Sequence, residues 1–573
     1  MNLKNIFTTL CFLILSLAFC QEHDWDNHCM VVKTNAPGYD VDMAIDSEDN
    51  IIVIGRFETE IELGDTILFS DKENGVFVAK FTKDYQLLWS KKIADSNIGT
   101  RNHTPLIDHL GLNTDGNAIY TTIGYRDSIH INNNLHTITY HSFRNANSVV
   151  VKLSPSGDVL DEVKIGGTCG NTVYILPEAE ANQLFLHTSI YPVDIDTNAI
   201  CSCTINGDTI LYFDYPAVVV SKIESDTTRW VTPYTTDGLL EGRHMAKHND
   251  KLYISGWTQY AGHVFFPDYT LQVPSHYSKL GYVAQLGENG QVGWARHFGA
   301  KGWDTQLATY GITISSENDI LVVGNNHSQS VLNKLYVQGV SDLVGLFNSE
   351  MNFFIINYDI YGQVNWHRLS NGIGHKGVGG PSVIDSEKNI YLGGEFNREF
   401  VFNQDTITPI SLAPDGFIVS YDKNGNKRWA KSNGGLAYDV NYRMAVNSVD
   451  EIYVLGFSRG NPMYFGSIEN TDVVPNSFFI NRLNLQPLNI DDPELGIEID
   501  LSPNPNTGHF AIKTHSNHPI KRLELYDELG ILVKQYAVNG NHFIINAKLA
   551  NGLYFVKIET QTNHQIVKKM SVE

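Results

Sequence analysis

Residues able to do chemistry are scattered along this chain instead of gathering into a signature. Histidine is abundant at 21, yet no His-Glu-x-x-His occurs and no pair sits at helical ligand spacing. His103 and His109 fall in a strand-and-loop region. No Gly-x-Ser-x-Gly elbow, phosphate loop or dinucleotide fingerprint stands in a strand–helix context. Asp422-Lys423-Asn424-Gly425-Asn426 has the outline of a calcium loop. Its counterparts, Ser154 to Asp158, Gly287 to Gln291 and Asp359 to Gln363, share a glycine and not a set of carboxylates. A hairpin turn explains that pattern better than a metal does. Two carboxylates cannot be placed at glycosidase separation from the sequence alone. The prediction is therefore no catalytic residue, no metal and no cofactor. Better candidates follow a recurring glycine: Arg56, Arg126, Trp257, His327, Glu395 and Arg459. Their mix of aromatic, cationic and polar groups would suit a sugar or a peptide, and variable loop surface accounts for it equally.

The elements that must position these residues form a repeat. Between about residues 36 and 486, a β-rich run ending in glycine recurs, as in Ile51 to Gly55, Leu252 to Gly256, Ile320 to Gly324, Ile390 to Gly394 and Ile452 to Gly456. Ile119 to Gly124 and Leu184 to Thr188 are weaker copies, making seven. A second strand follows each, then a turn, then in most copies a tryptophan strand carrying Trp89, Trp230, Trp294, Trp366 or Trp429, with Leu160 standing in once. The seventh copy lacks its tryptophan strand. Trp25 to Lys33, near the other end of the chain, supplies one, and it is expected to complete the last sheet and close a ring. The tryptophans are expected to pack between neighbouring sheets. An all-β, seven-bladed β-propeller over 21–486 follows. A linear solenoid is disfavoured, because an open array gains nothing by sharing a sheet between its ends.

These repeats resemble the bacterial SBBP-type and delta-sixty-type propeller repeats, with their G-x-F, D-x-F-V-x-K and G-x-x-x-W elements. The second and third copies depart most from that pattern. In propellers of this kind ligands bind at one end of the central channel, which is where the six candidates would stand.

The two ends of the chain read as addresses. Lys4 precedes an apolar run from Ile6 to Phe19, and Ala18-Phe19-Cys20 places small residues where a signal peptidase reads, predicting cleavage between Cys20 and Gln21 and a signal peptide over 1–20. No later segment is long and apolar enough to span a bilayer. Cleavage leaves Cys29, Cys169, Cys201 and Cys203, whose three possible pairings stay open. A linker is expected over 487–498. Residues 499–573 then open with Leu501-Ser502-Pro503-Asn504-Pro505-Asn506-Thr507-Gly508, continue through Tyr526-Asp527-Glu528-Leu529-Gly530 and Asn551-Gly552-Leu553-Tyr554, and close on a strand containing Lys568. Alternating strands with turns at Gly530 and Gly552 predict a small immunoglobulin-like β-sandwich. This segment resembles the type A C-terminal sorting domain of the bacterial type IX secretion system, with Pro503, Asn504, Pro505, Gly508, Gly552, Tyr554 and Lys568 as its matching positions. The resemblance implies recognition by the outer-membrane translocon and its sorting machinery, and a secreted or surface-held product.

Charge narrows the rest. Lys+Arg 41 against Asp+Glu 63 leaves −22, which disfavours nucleic acid, whose phosphates need a basic partner. The sequence favours a non-enzymatic, exported module binding a glycan or protein. The competing reading is a secreted polysaccharide- or peptide-degrading hydrolase or lyase with its active site at the channel.

Overall fold

A computed structural model describes residues 23–26, 28–33, 41–72, 74–96, 107–126, 128–132, 134–137, 147–167, 170–178, 183–191, 201–213, 217–224, 227–273, 279–300, 306–315, 319–327, 335–340, 352–369, 382–402, 405–473, 475–485, 499–514, 519–527, 532–560 and 565–572. Among these residues every element is a strand, and no helix is long and apolar enough to cross a membrane. The signal segment with Cys20 and Gln21, the 487–498 linker and Cys169 lie outside the described residues. The chain divides into two compact units, Trp25–Asn484 and a second made of Met1–Asp24 with Leu485–Glu573.

In the larger unit each repeat folds as an antiparallel meander of four strands. The first runs Val41–Ile45, Ile51–Phe57, Asn74–Phe81 and Leu87–Ser96, each paired with the next. Among the described residues the unit holds seven sheets of four to six strands. The second strand does not stop at its glycine, as the sequence suggests, but continues two or more residues past it. Glycine is there because an aromatic ring of the third strand lies across it. A Cβ on Gly55 would come within 2.6 Å of Phe77, and one on Gly256 within 2.4 Å of the Tyr282 hydroxyl.

The turn between third and fourth strands explains both its glycine and the tryptophan. Gly157, Gly290, Gly362 and Gly425 take φ of 80°, 77°, 74° and 73°, the left-handed region open to glycine. Asp422 Oδ1 accepts from the backbone N–H groups of Asn424 (2.9 Å) and Asn426 (2.8 Å), so this carboxylate organises its own turn. The tryptophan of the preceding repeat lies on the same turn. Trp89 Nε1 donates to the Pro155 carbonyl at 3.0 Å, and Trp294 Nε1 to the Ile360 carbonyl at 2.9 Å.

Hydrophobic clusters join each sheet to the next. Ile54 and Val78 meet Ile123 and Val151; Tyr120 and Val150 meet Leu184 and Leu186; Val218 and Tyr234 meet Ile254 and Tyr282. Tyr253 and Phe298 then meet Ile356, Val323 meets Leu392, and Tyr391 with Trp429 meets Val454 and Phe479. The series returns to its start, since Leu455, Phe478 and Val32 pack against Val53 and Phe77. The first strands of the repeats neighbour one another in the same order, including Asp439–Val446 beside Val41–Ile45. Met30–Lys33 pairs antiparallel with the last strand, Met30 opposite Ile480 and Lys33 opposite Ser477. Arg482 Nε reaches Asp26 Oδ2 at 2.6 Å beside it.

One arrangement is not foreseen by the sequence reading. In five repeats the hairpin between second and third strands adds to the outer strand of the preceding sheet, while the hairpins Glu60–Phe69 and Phe400–Ile407 stand as two-stranded sheets of their own. Ser128–Ile131 pairs with Leu87–Ser96, Cys201–Ile205 with Val159–Gly167, and His263–Phe266 with Thr227–Thr236. Leu335–Val337 and Met463–Phe465 do the same to Val292–Ala300 and Lys427–Gly435. Cys203 is thereby a buried free thiol, its pKa pushed up to about 12 by burial.

The C-terminal residues form a three-stranded sheet of Ile499–Ser502, His509–Thr514 and His542–Asn546, and a four-stranded one of Leu532–Gly540, Ile520–Asp527, Gly552–Thr560 and Gln565–Val572. Phe510 and Ile512 from the first share a core with Leu523, Leu525, Val556, Ile558 and Met570 from the second.

Candidate functional site

The antiparallel register puts the start of each first strand and the end of each second strand at one end of the sheets, and the six candidates spread round that end. Arg56 and Glu395 are interior positions of the second strand, 3% and 2% exposed. They sit in the pleat because that strand runs on past its glycine, so neither offers a contact surface. Arg126 is half-buried just after Ile119–Tyr125. His327 ends the strand Ile320–His327 opposite Gln306. Arg459 is exposed, with its guanidinium 5.5 Å from the centre of the Tyr438 ring.

Trp257 is the candidate about which other groups assemble. It lies opposite Glu241 of the first strand and Gly281 of the third. Lys279, two residues from Gly281, holds its amine 3.6 Å from the centre of the Trp257 ring. Burial lowers the Lys279 amine to about 8; Glu241 opposes the fall and Arg243 adds to it. Arg243 is in turn ion-paired with Glu241. The sequence reading passes over Lys279, although the cross-strand register from Gly256 would have found it.

First strands of other repeats bring further charge to the inner side. Arg443 Nε donates to Asp42 Oδ1 at 2.6 Å, while Asp42 Oδ2 accepts from Leu112 N at 3.0 Å, tying three repeats together. The Arg443 side chain stays 42% exposed. Tyr174 and His244 place their rings 5.4 Å apart. Burial, then Arg443, Arg243 and His187, keep His244 well below the ordinary histidine range, so its ring stays neutral. Among the described residues no three His, Cys, Asp or Glu side chains gather as a metal set.

A second polar group lies inside the junction of the sixth and seventh sheets. Asp415 begins the strand Asp415–Tyr421 and Asp439 begins Asp439–Val446; both are enclosed. Asp415 Oδ2 accepts from Ile410 N at 2.6 Å, and Asp439 N donates to the Pro414 carbonyl at 2.8 Å. Burial raises Asp415 to about 6. Burial above all, with the Asp415 charge adding against the Ser458 hydroxyl, raises Asp439 to about 7. Neither was singled out from the sequence, where both read as ordinary strand-start residues.

In the C-terminal unit the Pro503-Asn504-Pro505 segment is bound to the final strand. Asn504 Nδ2 donates to the Lys569 carbonyl at 3.0 Å, and its Oδ1 accepts from Ser571 N at 2.8 Å. Gly508 has φ 85° and lies so close to the Ala547 carbonyl that a Cβ would be 2.2 Å from it. Tyr554 is buried with its hydroxyl on the Ala550 carbonyl at 3.0 Å. Gly552 opens the strand Gly552–Thr560, and Lys568 stands opposite Val556.

Comparison with known proteins identifies this last unit. Residues 500–573 match the family described as the secretion system C-terminal sorting domain. Over 165 residues the chain is 26% identical to an uncharacterized WD repeat-containing protein of Acanthamoeba polyphaga mimivirus, a match covering 27% of this chain and only 12% of that protein. Among solved structures it is similar to PorZ, described as an essential bacterial surface component of the type IX secretion system of Porphyromonas gingivalis, at 9% identity and a TM-score of 0.17, over 96% of this chain and 100% of that one. A DUF4221 family member from Bacteroides vulgatus gives 8% identity and a TM-score of 0.30 over 81% and 98%. The sorting tail marks the protein for type IX secretion, to the cell surface or the extracellular space.

Proposed function

We propose that this type IX cargo is a seven-bladed β-propeller that works outside the cell as a non-enzymatic module binding a glycan or a protein. Ring closure is supported by hydrophobic clusters that return from the last sheet to the first, and by first strands that neighbour one another in the same cycle. Closing the ring protects strand edges that an open array would leave bare. The tail is read as an immunoglobulin-like sandwich presented to the translocon, with Pro503, Asn504, Pro505, Gly508, Gly552, Tyr554 and Lys568 shaping its recognised surface.

The observation that carries binding is the state of the charges round Trp257 and along the first strands. Glu241 is paired with Arg243 and Asp42 with Arg443, while Lys279 covers an indole face. Such neutralised, aromatic-backed groups suit contact better than proton transfer. A hydrolase or lyase would instead draw on Asp415 and Asp439, whose acidity fits a general acid; both are enclosed, which favours the binding module. The test is to present the exported chain to a glycan array and to envelope proteins while following product release. Retention without product, lost for at least one ligand in Trp257→Ala, is the expected result. Product release abolished by Asp439→Asn would establish the enzyme in its place.

A further inference from the structure

Seven copies of one unit serve as controls for each other: a residue that the fold needs recurs, and a cluster of departures answers to something else. Three such departures meet in one cleft. At the third position of the turn between third and fourth strands, four repeats carry Asp84, Ser156, Asn289 and Asn424, whereas the fifth carries Tyr361, 70% exposed. Lys83, Pro155, Glu288 and Lys423 precede them; Ile360 precedes Tyr361. The residue after the two-residue hairpin loop is Thr66, Asn134, Asp208, Asp405 or Ile468, but Tyr269 in the fourth repeat. The turn after the first strand runs from Asp46 to Asn50, Asp385 to Asn389 and Asn447 to Glu451. In the fourth repeat it shrinks to Asn249 and Asp250, between the paired His248 and Lys251.

All these changes line a cleft of about 700 Å3 whose floor is Trp294, Tyr253 and Gln285. It lies at the opposite ends of the strands from Trp257. The polar groups of the floor are spent on holding the platform still. Gln285 Nε2 donates to the Tyr253 hydroxyl at 3.1 Å and to the Ile360 carbonyl at 2.9 Å. Arg296 donates to the carbonyls of Gly362 (2.9 Å) and Tyr361 (3.3 Å). The backbone that carries Tyr361 is thus held before any ligand arrives, which lowers the entropy lost on binding. A smaller recess of about 180 Å3 shares Asp250 and continues the groove past Glu178 and Lys247, which pair at 3.1 Å.

We propose that this cleft binds a neutral oligosaccharide, with Tyr361 and Tyr269 as faces for sugar rings and the His248–Lys251 turn as the hydrogen-bonding rim. Flat aromatic faces accept the C–H side of a pyranose, and mixed donors and acceptors suit its hydroxyls. The rim balances Asp250 against Lys251, and Arg296 is committed to carbonyls, so no cationic excess invites a phosphate or sulfate. The adjoining recess gives room for more than one sugar.

The exported full chain, titrated calorimetrically with cellotetraose, mannotetraose and chitotetraose, tests this. At least one is expected to bind, and Tyr361→Ser or Tyr269→Thr should each weaken it about tenfold, the loss of one aromatic contact. Both variants borrow the residue of another repeat, and unchanged circular dichroism checks that they fold. Leu412→Ser, at an exposed position outside the cleft, should leave this affinity intact. No binding of the three at millimolar concentration, unchanged affinity in Tyr361→Ser, or capture of a peptide library in their place would overturn the assignment.

Discussion

Replacing Asp439 by Asn should make the protein more stable at pH 8 and leave it almost unchanged at pH 4. The reasoning rests on a carboxyl group enclosed where the sixth and seventh sheets meet, close to a second one at Asp415. Its pKa rises from 3.8 to about 7 on folding, so the folded state holds a proton that the unfolded chain releases. A raised carboxylate leaves stability intact below about pH 4 and removes it as pH climbs through 7. At about 1.4 kcal/mol per pH unit the full rise is worth about 4 kcal/mol. Coupling to Asp415 and relaxation of the site reduce that, so about 2–3 kcal/mol is expected. Asparagine keeps the shape and cannot ionise. Urea midpoints read by tryptophan fluorescence, for wild type and variant at pH 4, 6 and 8, give the difference directly, since other titrating groups cancel in it. A gap between the two proteins that stays constant with pH, or narrows toward pH 8, would refute the reasoning.

Three further outcomes are expected. Gly55→Ala should cost about 1–3 kcal/mol by driving a Cβ into the Phe77 ring, and adding Phe77→Leu should recover part of it in thermal unfolding. Arg482→Ala should cost about 3 kcal/mol because it takes the guanidinium from the buried Asp26 carboxylate, whereas Arg229→Ala, removing the more exposed pair with Glu224, should cost far less; parallel urea curves check both. Ending the chain after Leu495 should retain it inside the cell, as read by blotting the surface and medium fractions.

The parts of this architecture that repeat were legible in the sequence, because each carries a local cause. Gly157, Gly290, Gly362 and Gly425 mark a turn that needs positive φ, and Trp89 or Trp294 marks the strand that packs on it. The unforeseen parts depend on distance. Ile205-Asn206-Gly207-Asp208 and Phe465-Gly466-Ser467-Ile468 announce hairpins plainly, but nothing local says that such a hairpin will join the sheet before its own. Asp415 and Asp439 read as strand-start residues until the register encloses them. Of the six expected contact residues, Trp257 gathers partners, while Arg56 and Glu395 are covered, because the strand outruns its glycine. Tyr361, Tyr269 and His248 lie more than 90 residues apart at the extremes, and only folding makes them neighbours.

The hairpin that five of the repeats lend to the sheet before them has a consequence for how such a chain can grow or shrink. Such a copy is not a self-contained brick: cut out at its own boundaries, it would leave its predecessor with a naked outer edge. Duplication or loss must therefore splice through the loan and not between the sheets, and the natural unit of inheritance runs from one hairpin to the next, out of phase with the sheets that the eye would count.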